Sequence, residues 1–153
     1  MATTSAAPSS TDQSRLVRVF GILVIIGGLI LVIGGATTWG LVQSQLSAEN
    51  ITVSEDADFL AGDEVNGPFS AYAEAEVINK HSLEASGGRT YAELPQDDPT
   101  RETVMNGSFL RASLFTSVVS FGVAAMAMGL GVLFLLIGYA LTRLAPATAV
   151  ARR

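Results

Sequence analysis

The chain has 153 residues, of which 49% are hydrophobic, 15% are charged and none is cysteine, and its formal net charge is -5. This length is enough for one compact domain, and the chain cannot form a disulfide. The charges are segregated, because residues 19 to 48 and residues 112 to 142 contain none. A membrane imposes such segregation, since a transmembrane helix needs about 20 consecutive apolar residues.

The first uncharged run predicts a transmembrane helix. Residues 1 to 14 are small and polar and predict a disordered cytoplasmic tail, and residues 15 to 48 hold the first transmembrane helix and its flanks. The alternative is a cleaved signal peptide, because Arg15 and Arg18 precede the run. A signal peptide has only about 7 to 15 apolar residues, whereas this run continues to Trp39. The length therefore favours a retained anchor.

The polar segment between the two runs is expected to be mostly irregular at first and then helical. Residues 69 to 77 alternate apolar and polar side chains, which is typical of a strand, but the Ala and Glu that dominate them favour a helix. Pro68 suits a first helical turn, and Gly87 with Gly88 suits a helix end. These boundaries predict a helix over about residues 69 to 86.

A second long helix is predicted to start at about residue 99, where a proline follows an aspartate that can cap it. It is expected to continue into the second transmembrane segment, residues 112 to 143, as a helix of more than 40 residues. The part before the bilayer would stand above it as a stalk, with Gly107 as a weak point. Pro146 is predicted to end the helix, which leaves residues 144 to 153 as a cytoplasmic tail.

The positive charges predict the orientation. Five arginines and one aspartate flank the runs at the two ends of the chain, whereas residues 49 to 111 carry thirteen acidic and four basic residues. Positive residues favour the cytoplasm, so both termini should be cytoplasmic and residues 49 to 111 extracytoplasmic, in a multi-pass plasma membrane protein. The predicted fold class is an all-α membrane protein, a hairpin of two transmembrane helices with a small, mainly helical extracytoplasmic segment. Its acidity excludes nucleic acid as a partner.

Glycines recur every seven residues in both runs and are candidate helix-packing positions, because small residues let helix backbones approach in a membrane. The candidates are Gly27, Gly28, Gly34, Gly35, Gly122, Gly129, Gly131 and Gly138. The alternative is that glycine is simply common in membrane helices. The glycines of the second run face more than one side, which predicts a second contact, with another protein or with a copy of this chain.

The residues give no support for a catalytic, cofactor or metal site. The two runs contain no ionisable side chain that could form an ion pathway or a proton relay. His81 is the only histidine, whereas an iron site of the oxygenase type needs two histidines and a carboxylate. We therefore expect no enzymatic activity and no cofactor.

The stretches "GPFSAYAEAEVINKHSLEASGGRTYAEL" and "DDPTRETVMNGSFLRASLFTSVVSFGVAAMAMGLGVLFLLIGYAL" resemble a family of small actinobacterial membrane proteins. The resemblance covers roughly residues 19 to 142 and implies two membrane spans in the cell envelope. Members often carry the automated name aromatic ring-opening dioxygenase. Because this chain has a single histidine, its residues do not support that name.

The sequence thus predicts a non-catalytic accessory or structural subunit of a cell-envelope membrane complex. Its expected partners are the lipid bilayer and another membrane protein, and a homo-oligomer is a further option. Exposed aromatic and apolar residues of the outer segment are the candidate docking contacts: Phe69, Tyr72, Tyr91 and Leu94. The alternative is a self-assembling sensor or channel that responds to cations, because thirteen carboxylates attract them.

Overall fold

The computed structural model describes residues 10 to 150, with side chains from residue 13 to residue 144. The described part is helical and contains no strand: α1 is Ser10–Ala48, α2 is Pro68–Ala85 and α3 is Arg101–Val150, with a short 3-10 helix at Tyr91–Glu93. Two of these helices, over Gln13–Ala48 and Arg101–Leu144, are long and apolar enough to cross a membrane. The chain forms two compact units, a central unit, Thr37–Ala125, and a terminal unit made of the described parts of Met1–Ala36 and Met126–Arg153.

In the terminal unit, α1 and α3 pack against each other in opposite directions. Gly21 lies against Gly138, and Gly28 lies against Gly131. The residue number rises along α1 where it falls along α3, so the two helices are antiparallel. Most large apolar side chains of this unit point away from the contact and are exposed, as at Ile30. The unit is therefore a helix pair with a narrow seam and a broad apolar surface.

Both long helices extend further than the sequence predicts. α1 begins at Ser10, so the last part of the predicted disordered tail is helical, and residues 1 to 9 lie outside the described residues. α3 continues through Pro146 to Val150 instead of ending at the proline. Proline lacks the backbone N–H and its ring crowds the carbonyl four residues earlier, which costs about 3 kcal/mol, and the helix nevertheless continues for four residues beyond it. Of the predicted C-terminal tail, residues 151 to 153 lie outside the description.

In the central unit, residues 68 to 85 form helix α2. The predicted helix is therefore confirmed, and the strand suggested by the alternation of residues 69 to 77 does not form. Pro68 occupies the first turn. At the other end, the N–H of Gly88 donates to the carbonyl of Leu83 over 2.7 Å, and Gly87 and Gly88 have φ of +65° and +84°. This is a Schellman C-cap, in which glycine adopts the left-handed conformation without steric cost.

The loop before α2 is held by one antiparallel β-bridge, between Thr52 and Glu64. The N–H of Val53 donates to the carbonyl of Asp63 over 2.8 Å, and that of Val65 donates to Ile51 over 2.9 Å. Val53 and Val65 are 1% and 0% exposed. A segment expected to be mostly irregular thus contributes two fully buried side chains to the core.

The core of the central unit combines α1, the loop, α2 and α3. Its buried members are Leu46, Val53, Val65, Ala71, Ala73, Ala75, Leu114 and Phe121. Trp39 packs its ring edge to face with Phe121, with the centroids 4.7 Å apart. The segment between the long helices therefore shares its core with side chains of both helices.

The first turns of α3 are packed against α2 and do not form a free stalk. The side chain of Asp98 accepts hydrogen bonds from the N–H of Thr100 over 2.9 Å and from its hydroxyl over 2.6 Å, and these bonds lower the pKa of Asp98. The helix begins three residues later, at Arg101, and runs through Gly107 without a break. A Cβ at Gly107 would collide with Oγ of Ser82 in α2. Gly107 is thus a close helix contact and not a weak point.

Candidate functional site

The seam of the terminal unit brings glycine backbones into direct contact. A Cβ at Gly28 would lie 2.7 Å from the carbonyl oxygen of Gly131, and a Cβ at Gly138 would lie 2.6 Å from that of Gly21. Side chains at these positions would collide with backbone, which cannot rotate away. Close approach through small residues is the usual way in which helices pack without a hydrophobic driving force.

The other predicted glycines are placed differently. Nothing lies within 4 Å of a Cβ built at Gly27, Gly34, Gly122 or Gly129, whereas Gly35 is buried. The structure therefore brings Gly28 together with Gly131 and leaves the four open glycines outside the seam. Gly21 is a seam residue that the sequence analysis missed, although its position seven residues before Gly28 is a signal for it.

The four candidate docking residues also differ in exposure. Phe69 is 74% exposed. Tyr72 is 41% exposed, although the centroid of its ring lies 6.4 Å from that of Phe59 and 5.7 Å from that of Phe115. Tyr91 is half-buried. Leu94 is only 4% exposed, so its side chain belongs to the chain's own interior and is not available to a partner.

Arg101 explains why Tyr91 and Leu94 are held against the protein. Its guanidinium lies 4.2 Å from the centroid of the Tyr91 ring, a cation–π contact. Its Nη1 donates to the carbonyl of Leu94 and reaches that of Tyr91 at 3.4 Å. One arginine in the first turn of α3 thus fixes the 3-10 helix, a role that the sequence pattern did not indicate.

Glu74 is a buried carboxylate that links α2 to the loop. It is 7% exposed, and its Oε2 accepts hydrogen bonds from the N–H of Ser54 over 2.8 Å and from the Ser54 hydroxyl over 3.2 Å. A buried charged group is stable only when it is hydrogen-bonded, and this one satisfies a backbone donor in return. Glu74 therefore has a structural role in the central unit.

We expect Glu74→Ala to lower the free energy of unfolding by about 1 to 3 kcal/mol, because the partly buried N–H of Ser54 loses its acceptor. Glu74→Gln retains an acceptor oxygen and should cost less. Glu84→Ala, at an exposed position of the same helix, is the matched control. Thermal unfolding of the purified protein in detergent measures all three, and equal losses for Glu74→Ala and Glu84→Ala would contradict the role of Glu74.

A second polar cluster lies on the surface. Oδ2 of Asp56 is 2.9 Å from Nζ of Lys80 and 2.9 Å from Nε2 of His81. These two hydrogen bonds, with Lys80 the larger cause, lower the pKa of Asp56 from 3.8 to about 2, and the same bond raises the pKa of Lys80. His81, the only histidine, is thus engaged by a carboxylate of the loop.

The cluster predicts a small acid dependence of stability. A carboxyl whose pKa is lower in the folded chain stabilises it above the unfolded pKa, and that contribution is lost as the pH falls from about 4 to about 2. Asp56→Asn should therefore lower the melting temperature slightly at pH 7, and the difference should be mostly lost at pH 2 and disappear below it. Asp58→Asn removes the same charge two residues away and serves as the control. A difference that persists unchanged at pH 2 would contradict the prediction.

Two cavities of the central unit share Asn79 and Leu83 of α2. The first, of about 520 Å³, lies between α2, the 3-10 helix and α3. Its lining is Asn79, Ser82, Leu83, Thr90, Tyr91, Ala92, Val104, Gly107, Ser108, Arg111, Ala112 and Phe115. The second, of about 530 Å³, is lined by Asp56, Asp58, Phe59, Tyr72, Ala73, Glu76, Val77, Asn79, Lys80, Leu83 and Glu84. The two linings have opposite charge: the first contains one arginine and no carboxylate, and the second contains four carboxylates and one lysine.

Arg111 is the charged side chain of the first cavity. Its Nη2 lies 3.7 Å from Oε1 of Glu76, and its guanidinium lies 5.2 Å from the centroid of the Phe115 ring. Its Nε is buried and has no hydrogen-bond acceptor within the described part of the chain. The positive charge of Arg111 is therefore only loosely compensated.

Among the side chains that the structure describes, residues 13 to 144, no group of three or more His, Asp or Glu could hold a metal ion. The polar groups of the central unit are arranged as hydrogen-bonded supports, as at Glu74, or as cavity walls. The cavity walls offer polar surfaces to a ligand.

Comparison with protein-family models, with curated proteins and with solved structures finds no match to this chain. The fold itself defines the class: a helical protein with two long apolar helices that could cross a membrane and a central unit built around a third helix.

Proposed function

We propose that this chain is an integral plasma membrane protein whose two long helices cross the bilayer as a hairpin. The observation that carries the proposal is the exposure of large apolar side chains along both helices, for example 65% at Ile30, 64% at Ile33 and 61% at Leu136. A continuous apolar surface of this kind is unfavourable in water and is covered by lipid in a bilayer. The uncharged runs, residues 19 to 48 and 112 to 142, lie within these helices.

The proposed orientation places residues 49 to 111 outside the cell and both termini in the cytoplasm. Its support is the charge distribution, because the arginines flank the spans at the two ends of the chain and the acidic residues lie between the spans.

The absence of native cysteine makes this orientation directly testable. Ala92→Cys and Gln13→Cys each place one thiol at an exposed position, the first between the spans and the second before them. In intact cells, a membrane-impermeant maleimide should label Ala92→Cys, and it should label Gln13→Cys only after lysis. The reverse pattern would contradict the orientation. Release of the chain from membranes by alkaline carbonate without detergent would contradict membrane insertion.

We further propose a non-catalytic role as an accessory or structural subunit of a cell-envelope membrane complex. The spans offer open glycines, at which nothing in this chain approaches within 4 Å of a built Cβ. In the central unit, Phe69 is 74% exposed and offers an aromatic contact. Open glycines in a membrane helix permit close approach of a neighbouring helix. The absence of charged residues from both runs also favours packing over transport.

Copurification tests the accessory role. The chain, tagged at its C-terminus, is extracted in mild detergent, and quantitative mass spectrometry should find a stoichiometric membrane partner. Gly129→Leu should release that partner, because a leucine fills the open glycine position, whereas Val132→Leu at an exposed apolar position should retain it. Recovery of a discrete homo-oligomer without a partner would favour the alternative, a cation-responsive sensor or channel. Stoichiometric iron in the purified protein would contradict a non-catalytic role.

A further inference from the structure

We propose that the cavity between α2 and α3 binds the phosphate group of a phospholipid, with Arg111 as its anchor. The proposal rests on the proposed membrane insertion, because that insertion determines the depth at which the cavity lies. Its geometry lies entirely within the central unit.

The charge of the cavity is the first reason. Residues 49 to 111 carry thirteen acidic and four basic residues, yet the wall of this cavity includes Arg111 and no carboxylate. The acidic surface repels anions, whereas a concave site whose wall carries a cation attracts them locally. The neighbouring cavity, which contains Asp56, Asp58, Glu76 and Glu84, has the opposite preference.

The state of the Arg111 guanidinium is the second reason. The Glu76 carboxylate lies 3.7 Å away, and both side chains are more than 40% exposed, at 41% and 44%. An exposed ion pair at this distance contributes little. A phosphate group can accept two parallel hydrogen bonds from one guanidinium, which is a stronger and more directional interaction. An incoming phosphate can therefore displace Glu76 from Arg111.

The position of Arg111 along α3 is the third reason. It is the last charged residue before the uncharged run of residues 112 to 142. Ala112, the next residue, and Phe115, one turn further along α3, line the same cavity. In an inserted chain, Arg111 lies at the level of the outer headgroups, and Phe115 lies one turn deeper, where acyl chains begin. The cavity thus has a cation at the level of the headgroups and an apolar surface at the level of the acyl chains, which matches the polarity of a phospholipid.

The other polar groups of the wall complement the rest of a headgroup. The hydroxyls of Ser82 and Ser108 donate to the carbonyls of Ile78 and Val104, each over 2.8 Å. Their oxygen atoms therefore remain as acceptors, which suit the hydroxyl donors of a glycerol headgroup. A volume of about 520 Å³ is in the ordinary range of ligand sites.

Native mass spectrometry of the delipidated full-length chain in detergent tests the proposal, with phosphatidylglycerol as the probe. Diacylglycerol with the same acyl chains lacks the phosphate and should not bind at this site. Arg111→Gln should weaken binding of one phosphatidylglycerol about 10- to 100-fold, the effect of losing charge-assisted hydrogen bonds. Glu76→Gln should strengthen it, because the competing carboxylate is removed. Lys80→Gln removes an equal charge from the other cavity and should have no effect.

A second, steric variant distinguishes a loss of the binding site from a folding defect caused by Arg111→Gln. Ser108→Phe keeps the arginine, fills the cavity from an exposed position of its wall and should also abolish binding. Equal binding by wild type, Arg111→Gln and Ser108→Phe would overturn the lipid site, and membrane insertion would stand if the chain still needed detergent for extraction. Displacement of the lipid by inorganic phosphate at comparable concentration would assign the site to a soluble anion and overturn the lipid assignment. Release by carbonate alone would instead overturn the proposed insertion.

Discussion

Gly131→Leu is expected to disrupt the pairing of α1 and α3 in the terminal unit. A Cβ at Gly131 would lie 2.7 Å from the carbonyl oxygen of Gly28 and 2.9 Å from the backbone nitrogen of Val32. Overpacking costs about 1 to 3 kcal/mol even where side chains can adjust. Here two of the three nearest atoms are backbone, which cannot rotate away, so we expect a loss of at least about 3 kcal/mol in the free energy of unfolding.

The matched control for this prediction is Gly129→Leu, which makes the same change two residues earlier in the same helix. Nothing lies within 4 Å of a Cβ at Gly129, and leucine favours a helix more than glycine does. Thermal unfolding followed by circular dichroism in detergent should therefore separate the two variants by roughly 6 °C or more, given about 2 to 4 °C per kcal/mol. Equal melting temperatures would mean that the helices do not approach each other at Gly131.

Phe121→Ala is the second large change that we expect, this time in the central unit. Phe121 is 1% exposed and packs against Trp39 with the ring centroids 4.7 Å apart. Removing a buried phenylalanine side chain costs about 3 to 5 kcal/mol, because the lost contacts are not replaced and a cavity remains. Trp39 is the only tryptophan, so its fluorescence reports on this contact without interference.

Phe109→Ala provides the control, since Phe109 lies on the same helix and is 65% exposed. The melting temperature should fall strongly for Phe121→Ala and little for Phe109→Ala, and the Trp39 emission should change only in the first variant. A Trp39 spectrum that is the same in Phe121→Ala and in wild type would contradict the contact between the two rings.

The ends of α2 could be predicted from the sequence, and its buried face could not. Pro68 and the Gly87-Gly88 pair mark the ends locally, because proline and glycine restrict or extend backbone conformation whatever the tertiary contacts. The spacing of Ala71, Ala73 and Ala75 in the sequence resembles a strand pattern, but Glu74 between them is buried as well. In the structure these residues lie on more than one side of a helix that shares a core with the loop and both long helices. A one-face helical pattern fails where a helix is packed on several sides.

The glycines of the helix seam could likewise be predicted only in part from the sequence. Both Gly27 with Gly34 and Gly28 with Gly35 have the spacing of seven, and nothing local distinguishes the two sets. The structure buries Gly28 and Gly35 and leaves Gly27 open. One residue is about 100° around a helix, so the rotation of α1 about its axis decides the set, and that rotation depends on the partner helix. The buried Glu74 and the Arg111 cavity likewise arise from contacts between segments that are distant in sequence.

The shared core of the central unit has a consequence for the order of events during synthesis. The loop and α2 are made before α3, yet their apolar side chains close onto Leu114 and Phe121. A ribosome adds about 5 to 20 residues per second, so residues 49 to 85 wait on the order of seconds for the surface that completes them. During this interval Val53 and Val65 have no complete core to enter. A chain inserted as proposed would therefore expose these side chains outside the cell until its second span is in place. During that time the incompletely folded segment would be open to an extracytoplasmic chaperone or protease.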